Sequence, residues 1–313
     1  MQVLDSLIPI FSIIGLGMLL RSRGFLSEES TQAFNRFAYF FALPMFLFYK
    51  LAGAEPVAGS GNSIMYALFI SVALTFTVSW IAAVVFESRI ASRGASIQAG
   101  FRGNLAFMGL PLIRFLIEDF PVEQQETIMS AVLLALTPVI LFLNVGSVVA
   151  LAAYNAKTEK QVSFGSTFVE ITKNPLIWAC IGGALFQFSQ WSLPTAIVRT
   201  CSVVGESAFP IALLGIGSQL VSIPSSKGWK ATIAPAVIKC VVCPLIGLGV
   251  AALFGLTGSA LQVTVILCAM PTAISGYVLA DQMEGDADLA AGTVVVSTLF
   301  SLPTLAALIW LTG

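Results

Sequence analysis

From Cys240 to Ala280 the chain runs 41 residues without one charged side chain. A membrane-crossing helix takes about 20 mostly apolar residues, so this run is too long for one crossing. Gly255-Leu256-Thr257-Gly258 supplies the turn that divides it into two. The rest of the chain has the same character. Hydrophobic residues make up 57%, and the 26 glycines raise the apolar share to about 65% where a soluble chain holds about 45–50%. Charged residues are 10%, against about 25% in soluble domains. There is too little polar surface to wrap one core in water, and the chain reads as an all-α integral membrane protein.

Other classes drop out on the same grounds. The sequence has no histidine, which removes Ser-His-Asp and Cys-His nucleophiles and imidazole metal sites. A net charge of −1 with no dense basic block gives no footprint for nucleic acid. The five cysteines, Cys180, Cys201, Cys240, Cys243 and Cys268, fall mostly within apolar runs. Cys240-Val-Val-Cys243 has redox or zinc spacing but no second pair, so these thiols read as small buried hydrophobes. The segment Met1-Gln2-Val3-Leu4-Asp5 carries no basic cluster ahead of the first apolar run, which predicts a retained span rather than a cleaved signal, with Asp5 at the interface.

Charge clusters and Gly/Pro breaks predict ten spans, near 3–20, 32–52, 63–86, 96–117, 127–153, 174–190, 197–221, 230–254, 259–280 and 289–311. Orientation follows the basic residues. Arg21, Arg23, Arg36, Arg89, Arg93, Lys157, Lys160, Lys173, Lys227 and Lys230 fall on one side, and only Lys50, Arg114 and Arg199 on the other. Both termini are therefore expected outside the cytoplasm. The polar stretch 156–173 reads as a cytoplasmic linker between a first half, 1–155, and a second, 174–313.

The prolines make those halves look alike. Pro9 and Pro175 are 166 residues apart, as are Pro44 and Pro210; Pro111 and Pro271 are 160 apart, Pro138 and Pro303 165. Five spans per half is an odd number, so the second half enters the membrane from the opposite side. Inverted repeats of this kind are a signature of secondary transporters, with the substrate near the midplane where paired helices are broken. Span 4 has Gly100, Gly103, Asn104, Gly109 and Pro111 at its centre, and span 9 has Pro271, Thr272, Ser275 and Gly276. Proline removes a donor and glycine makes unwinding easy. Pro111 and Pro271 are expected to begin second half-helices, whose positive ends would hold a carboxylate. Asn104, Thr272 and Ser275 can donate to the same oxygen, although Asn104 can equally serve freed backbone carbonyls.

These residues resemble the auxin efflux carrier family, the plant PIN proteins and their bacterial malonate- or dicarboxylate-permease relatives. The likeness rests on Asn35-Arg36-Phe37 with Phe41-Ala42-Leu43-Pro44, on Asn104 through Met108-Gly109-Leu110-Pro111-Leu112, and on Met270-Pro271-Thr272-Ala273. The Asp281–Asp288 loop, Ser297-Thr298 with Pro303, and Lys239 five before Pro244 complete it. The resemblance implies ten helices in two inverted five-helix repeats, a fold shared with bile-acid symporters. It implies a scaffold of helices 1, 2, 6 and 7, often dimeric, and a transport domain of helices 3–5 and 8–10 moving by an elevator step. The resemblance puts substrate contacts on Asn104 and Pro271, and the broken helices themselves add Gly109, Pro111, Thr272 and Ser275 as candidates. The long loop of the plant carriers is absent, which favours a microbial-type member in a bacterial inner membrane.

Charged groups inside spans add candidates for coupling or gating. Lys239 lies about ten residues, roughly 15 Å, into span 8, where an ionisable group is a functional hypothesis by default. Glu206 is a candidate proton carrier or a solvated surface group, Arg102 faces the cavity or its entrance, and Glu55 with Pro56 reads as an outer gate or hinge. Sodium needs several oxygen ligands; Gln98 and Gln262, with Thr264, are the weak candidates. No cofactor is implied. The expectation is thus a secondary carrier or uniporter for a small mono- or dicarboxylate, with proton or sodium as possible coupling ion. The rivals are a sodium-coupled symporter of the bile-acid type, an intramembrane aspartyl protease hinted at by Gly285-Asp286, and a receptor.

Overall fold

The computed structural model describes residues 2–53, 60–87, 89–154, 175–189, 193–222 and 229–313. Among them the chain is helical, with no strand beyond one isolated bridge. Helices occupy every predicted span. They are α1 Gln2–Ser22, α2 Glu28–Phe37, α3 Leu43–Ala52, α4 Ser60–Phe86, α5 Ile90–Phe101, α6 Leu110–Leu116, α7 Val122–Tyr154 and α8 Pro175–Ser189. The rest are α9 Thr195–Glu206, α10 Ala208–Ser222, α11 Trp229–Val237, α12 Cys243–Leu253, α13 Gly258–Cys268, α14 Ile274–Gln282 and α15 Ala287–Thr312. Glu55 and the linker 156–173 lie outside the described residues.

Six segments are long and apolar enough to cross a bilayer: Asp5–Ser22, Asn62–Phe86, Val122–Tyr154, Thr195–Val221, Ala231–Leu253 and Ala287–Thr312. The other four predicted spans fall short for identifiable reasons. Span 2 carries Arg36 and Lys50, and its helix begins four residues earlier on the acidic first turn of α2, Glu28 and Glu29. Spans 4 and 9 are interrupted, and α8 is 15 residues long.

Proline also shapes helices it does not break. Pro44, Pro111 and Pro244 each stand second in α3, α6 and α12, and each is preceded by a five-residue π-helical turn: Ala38–Ala42, Leu105–Gly109 and Ile238–Val242. The missing N–H and the ring free the carbonyl four residues back, here those of Phe40, Phe107 and Cys240. A wider turn is how the helix absorbs the defect.

The chain forms two compact units. The first joins Met1–Met65, Ala106–Thr137 and Glu170–Ser222; the second joins Tyr66–Leu105, Pro138–Val169 and Ile223–Gly313. In the first unit α1 lies on α10 with glycine at the contact. A side chain at Gly17 would strike the carbonyl of Leu214, and one at Gly217 the carbonyl of Ile14. Small residues let helix backbones approach where lipid offers no hydrophobic drive. Thr31 and Ser218 hydroxyls then meet at 2.6 Å in the buried seam between α2 and α10. In the second unit, the rings of Phe76, Phe101 and Phe142 pack edge to face with centroids 4.9 to 6.2 Å apart, fixing α4, α5 and α7 around the end of α5.

Candidate functional site

Two helices of the second unit stop short. α5 ends at Phe101 and α13 at Cys268. The chain beyond each runs extended past the other, with Gly103 and Thr272 paired as an antiparallel bridge. The Asn104 N–H donates to the Pro271 carbonyl at 2.8 Å, and the Ala273 N–H donates to the Arg102 carbonyl at 2.9 Å. Unwound backbone inside a membrane must find partners in protein, and here each break supplies the other. Side chains finish the job. Thr272 Oγ1 donates to the Ala99 carbonyl at 2.7 Å, and its N–H donates to Ser297 Oγ at 3.0 Å. Gln98 Nε2 reaches the Gly276 carbonyl at 2.6 Å.

Each stopped helix leaves carbonyls, and about half a negative charge, at its C-terminal end. A cation belongs to each, by contact at α13 and by place in the sequence at α5. Arg102 follows α5 directly and is 9% exposed. Its Nη1 donates to the Leu143 carbonyl at 3.2 Å and Ser147 Oγ at 2.9 Å, and its Nη2 to Asn144 Oδ1 at 2.8 Å. Nε and Nη2 also lie 3.4 and 3.3 Å from Ser275 Oγ. Lys239, in the π turn ahead of α12, is 1% exposed. Its Nζ donates to the carbonyl of Cys268, the last residue of α13, at 2.5 Å and lies 3.4 Å from Cys243 Sγ. A Cβ at Gly103 would sit 3.3 Å from that Nζ, so glycine is what lets the ammonium reach the crossing. Lys239 forms no ion pair among the described residues.

The side chain of Asn104 stands apart from its neighbours. It is 6% exposed, and its amide makes no hydrogen bond among the described residues. The polar groups of Arg102, Thr272 and Ser297 are engaged with other partners. An amide carries two donors and an acceptor, and here they remain available to a bound group.

The crossing thus gathers Asn104, Pro271, Thr272, Ser275, Arg102 and Lys239, and Gln98 beside them. Others from the sequence reading lie elsewhere. Gly109 and Pro111 belong to the first unit. Pro111 comes seven residues after Asn104, not at the break, and Pro271 sits inside its break, three residues before α14 begins. The two prolines 160 apart are therefore not equivalent in place: Gly103 and Thr272 are the residues that meet. The backbone amides nearest the crossing, Asn104 and Ala273, bond to the opposite strand rather than waiting for an anion. Glu206 is an exposed residue of the first unit, accepting from Tyr49 Oη and Ser202 Oγ, both at 3.3 Å. Gln262 is buried in α13 with its Nε2 unbonded. The sequence reading missed Asn144 and Ser147, although a polar pair three residues apart within the apolar α7 marks one helix face.

Over residues 2–309 the chain matches the profile described as membrane transport protein. It is a member of that family. The auxin efflux carrier resemblance is the same family, and its members are multi-pass membrane transporters rather than enzymes. Among relatives of this transporter, a protein of Rhizobium meliloti named "Putative malonate transporter" is 26% identical over 325 residues, covering 99% of this chain and 96% of its own. An "Uncharacterized transporter" of Methanothermobacter thermautotrophicus is 23% identical, covering 96% and 95%. The "Uncharacterized transporter YfdV" of Escherichia coli is 24% identical, covering 95% and 93%.

Proposed function

We propose that this transporter is a secondary carrier or uniporter for a small organic anion, a mono- or dicarboxylate of malonate size, bound at the crossing. The observation that carries the reading is that two buried cations, Arg102 and Lys239, and the side chain of Asn104 come together at one crossing of two broken helices. Arg102 and Lys239 offset the charge of a carboxylate that a bilayer interior would otherwise reject, and the Asn104 amide adds an oriented donor. The relative named for malonate supports the same substrate class. Ten crossings in two inverted five-helix halves, both termini outside the cytoplasm, follow from the distribution of basic residues and the spacing of the breaks.

Alternating access in this reading is an elevator step. Helices of spans 3–5 and 8–10 carry the crossing, helices of spans 1, 2, 6 and 7 form a scaffold that dimerises, and the protein works in the bacterial inner membrane. Two compact units suit a two-body mechanism, although residues 106–137, from spans 4 and 5, group with the first unit and not with the rest of those spans. Sodium coupling of the bile-acid type finds less support. Of its two candidate ligands, Gln98 belongs to the crossing, where its Nε2 is held by the Gly276 carbonyl, and Gln262 is buried in α13, a separate element.

Uptake and counterflow of labelled malonate and butyrate into proteoliposomes, with and without sodium and across pH, test this directly. Asn104→Ala is expected to weaken substrate binding about tenfold, the loss of one or two charge-assisted hydrogen bonds, with the unfolding midpoint nearly unchanged. Unaltered affinity in a scintillation-proximity assay removes Asn104 from the site.

A further inference from the structure

The first unit holds a cavity of about 160 Å³ lined by Phe46, Lys50, Arg114, Ile117, Gln125 and Met129, together with Val122 and Glu126. Its chemistry is divided. Phe46, Ile117 and Met129 make a buried apolar wall, while Lys50 and Arg114 bring two cations. Neither cation forms an ion pair among the described residues, Glu126 included. These are two of the three basic residues assigned to the non-cytoplasmic face, so their meeting in one cavity is a concentration of charge that the rest of that face lacks.

The guanidinium is also held in place. Gln125 donates both its amide hydrogens to backbone, at 2.9 Å to the Glu118 carbonyl and 2.8 Å to the Phe120 carbonyl. That fixes its Oε1, which accepts from Arg114 Nη1 at 2.5 Å. An arginine carries five N–H donors in a rigid fork suited to a carboxylate. One is spent on Gln125, and no other is spent within the described residues. Such a fork, steadied by a neutral amide instead of a carboxylate, keeps its charge available. The volume sets the ligand's size, since drug-sized ligands need about 300–1,000 Å³. Only a molecule of a few heavy atoms fits.

We infer that this cavity is a second site for a small carboxylate, distinct from the crossing. The carboxylate lies against Arg114 and Lys50 and a short apolar body lies on Phe46, Ile117 and Met129. The inference does not rest on the crossing being a substrate site, because every residue named belongs to the first unit. Two cations at such a cavity raise the local concentration of small anions, as charged clefts do for other ligands.

Equilibrium dialysis of labelled butyrate and malonate against the purified full-length protein carrying Asn104→Ala, in which the crossing binds about tenfold more weakly, separates the cavity's tighter binding from the crossing's. Saturable binding is expected to persist there and to fall about tenfold or more on Arg114→Gln or Lys50→Gln. It is expected to weaken by a smaller factor on Gln125→Ala, which keeps both charges but releases the fork. Met129→Phe fills the cavity with both charges intact and is expected to abolish binding, so shape and charge are tested separately. Unfolding midpoints without ligand check that each variant is folded. No saturable binding in Asn104→Ala protein overturns the inference without touching the crossing. So does binding indifferent to Arg114, Lys50 and Met129. Displacement by phosphatidylglycerol in nanodiscs, with no carboxylate binding there, assigns the cavity to lipid headgroups and overturns it equally.

Discussion

α5 and α13 stop in the same way and are finished in different ways. Both give up their helix inside the second unit, both pass one extended stretch alongside the other, and each has a buried cation at its end, Arg102 next in sequence to α5 and Lys239 in contact with α13. At α5 the cation is Arg102, part of the break itself, spread across a carbonyl, an amide and two hydroxyls. At α13 it is Lys239, sent in from another helix and set on a single carbonyl with a thiol beside it. A planar fork with several acceptors fixes a geometry, whereas a compact ammonium on one carbonyl mainly supplies charge. The arginine end is thus a framework and the lysine end an electrostatic device. That difference is open to experiment.

Arg102→Leu strikes the framework and is expected to have the largest effect. Asn144 Oδ1 loses its donor and the α5 break its brace, a loss of about 2–4 kcal/mol. Expression and unfolding midpoint should fall together with transport. If the variant folds at wild-type level and only transport is lost, Arg102 is a substrate contact and the contrast between the two ends disappears.

Lys239→Gln strikes the charge and is expected to do less to the fold. The new amide can still donate to the Cys268 carbonyl, and losing a cation at a helix C-terminus costs about 0.3–2 kcal/mol. Turnover in reconstituted vesicles should fall about tenfold or more while expression holds, since the anion would face one cation instead of two. Wild-type exchange rates would demote Lys239 to packing. A variant that fails to fold would make the two ends alike.

How much of this was readable beforehand divides along the same line. The helices were legible because apolar length and charge spacing are local properties, and all ten predicted ranges are occupied by helix. That spans 4 and 9 break was legible from their glycines and prolines. Where they break was not. Pro111 bends its helix through the π turn Leu105–Gly109 instead of ending it, and the break falls at Gly103, whose need for a missing side chain comes from Lys239, 136 positions away. The fate of the Asn104 and Ala273 amides was hidden for the same reason: a bond between residues about 170 apart leaves no trace in spacing. Lys239 was found by depth in an apolar run, but its partner is a backbone carbonyl, and every residue type carries one.

The smallest expected effect concerns Gln98, one turn before α5 ends. Its Nε2 is bonded to the Gly276 carbonyl, while its Oε1 is buried with no partner. Gln98→Met keeps the volume, gives up a bond worth about 0.5–1.5 kcal/mol and removes an unmet acceptor that costs about 1–3 kcal/mol. These nearly cancel, so the unfolding midpoint should shift by a degree or two at most by that balance. Transport should stay close to wild type if the framework at α5 rests on Arg102. A sharp loss of transport at unchanged stability would mean that Oε1 accepts from something present only during the cycle. The α5 end would then carry a working part of its own, and the division of labour between arginine and lysine would have to be redrawn.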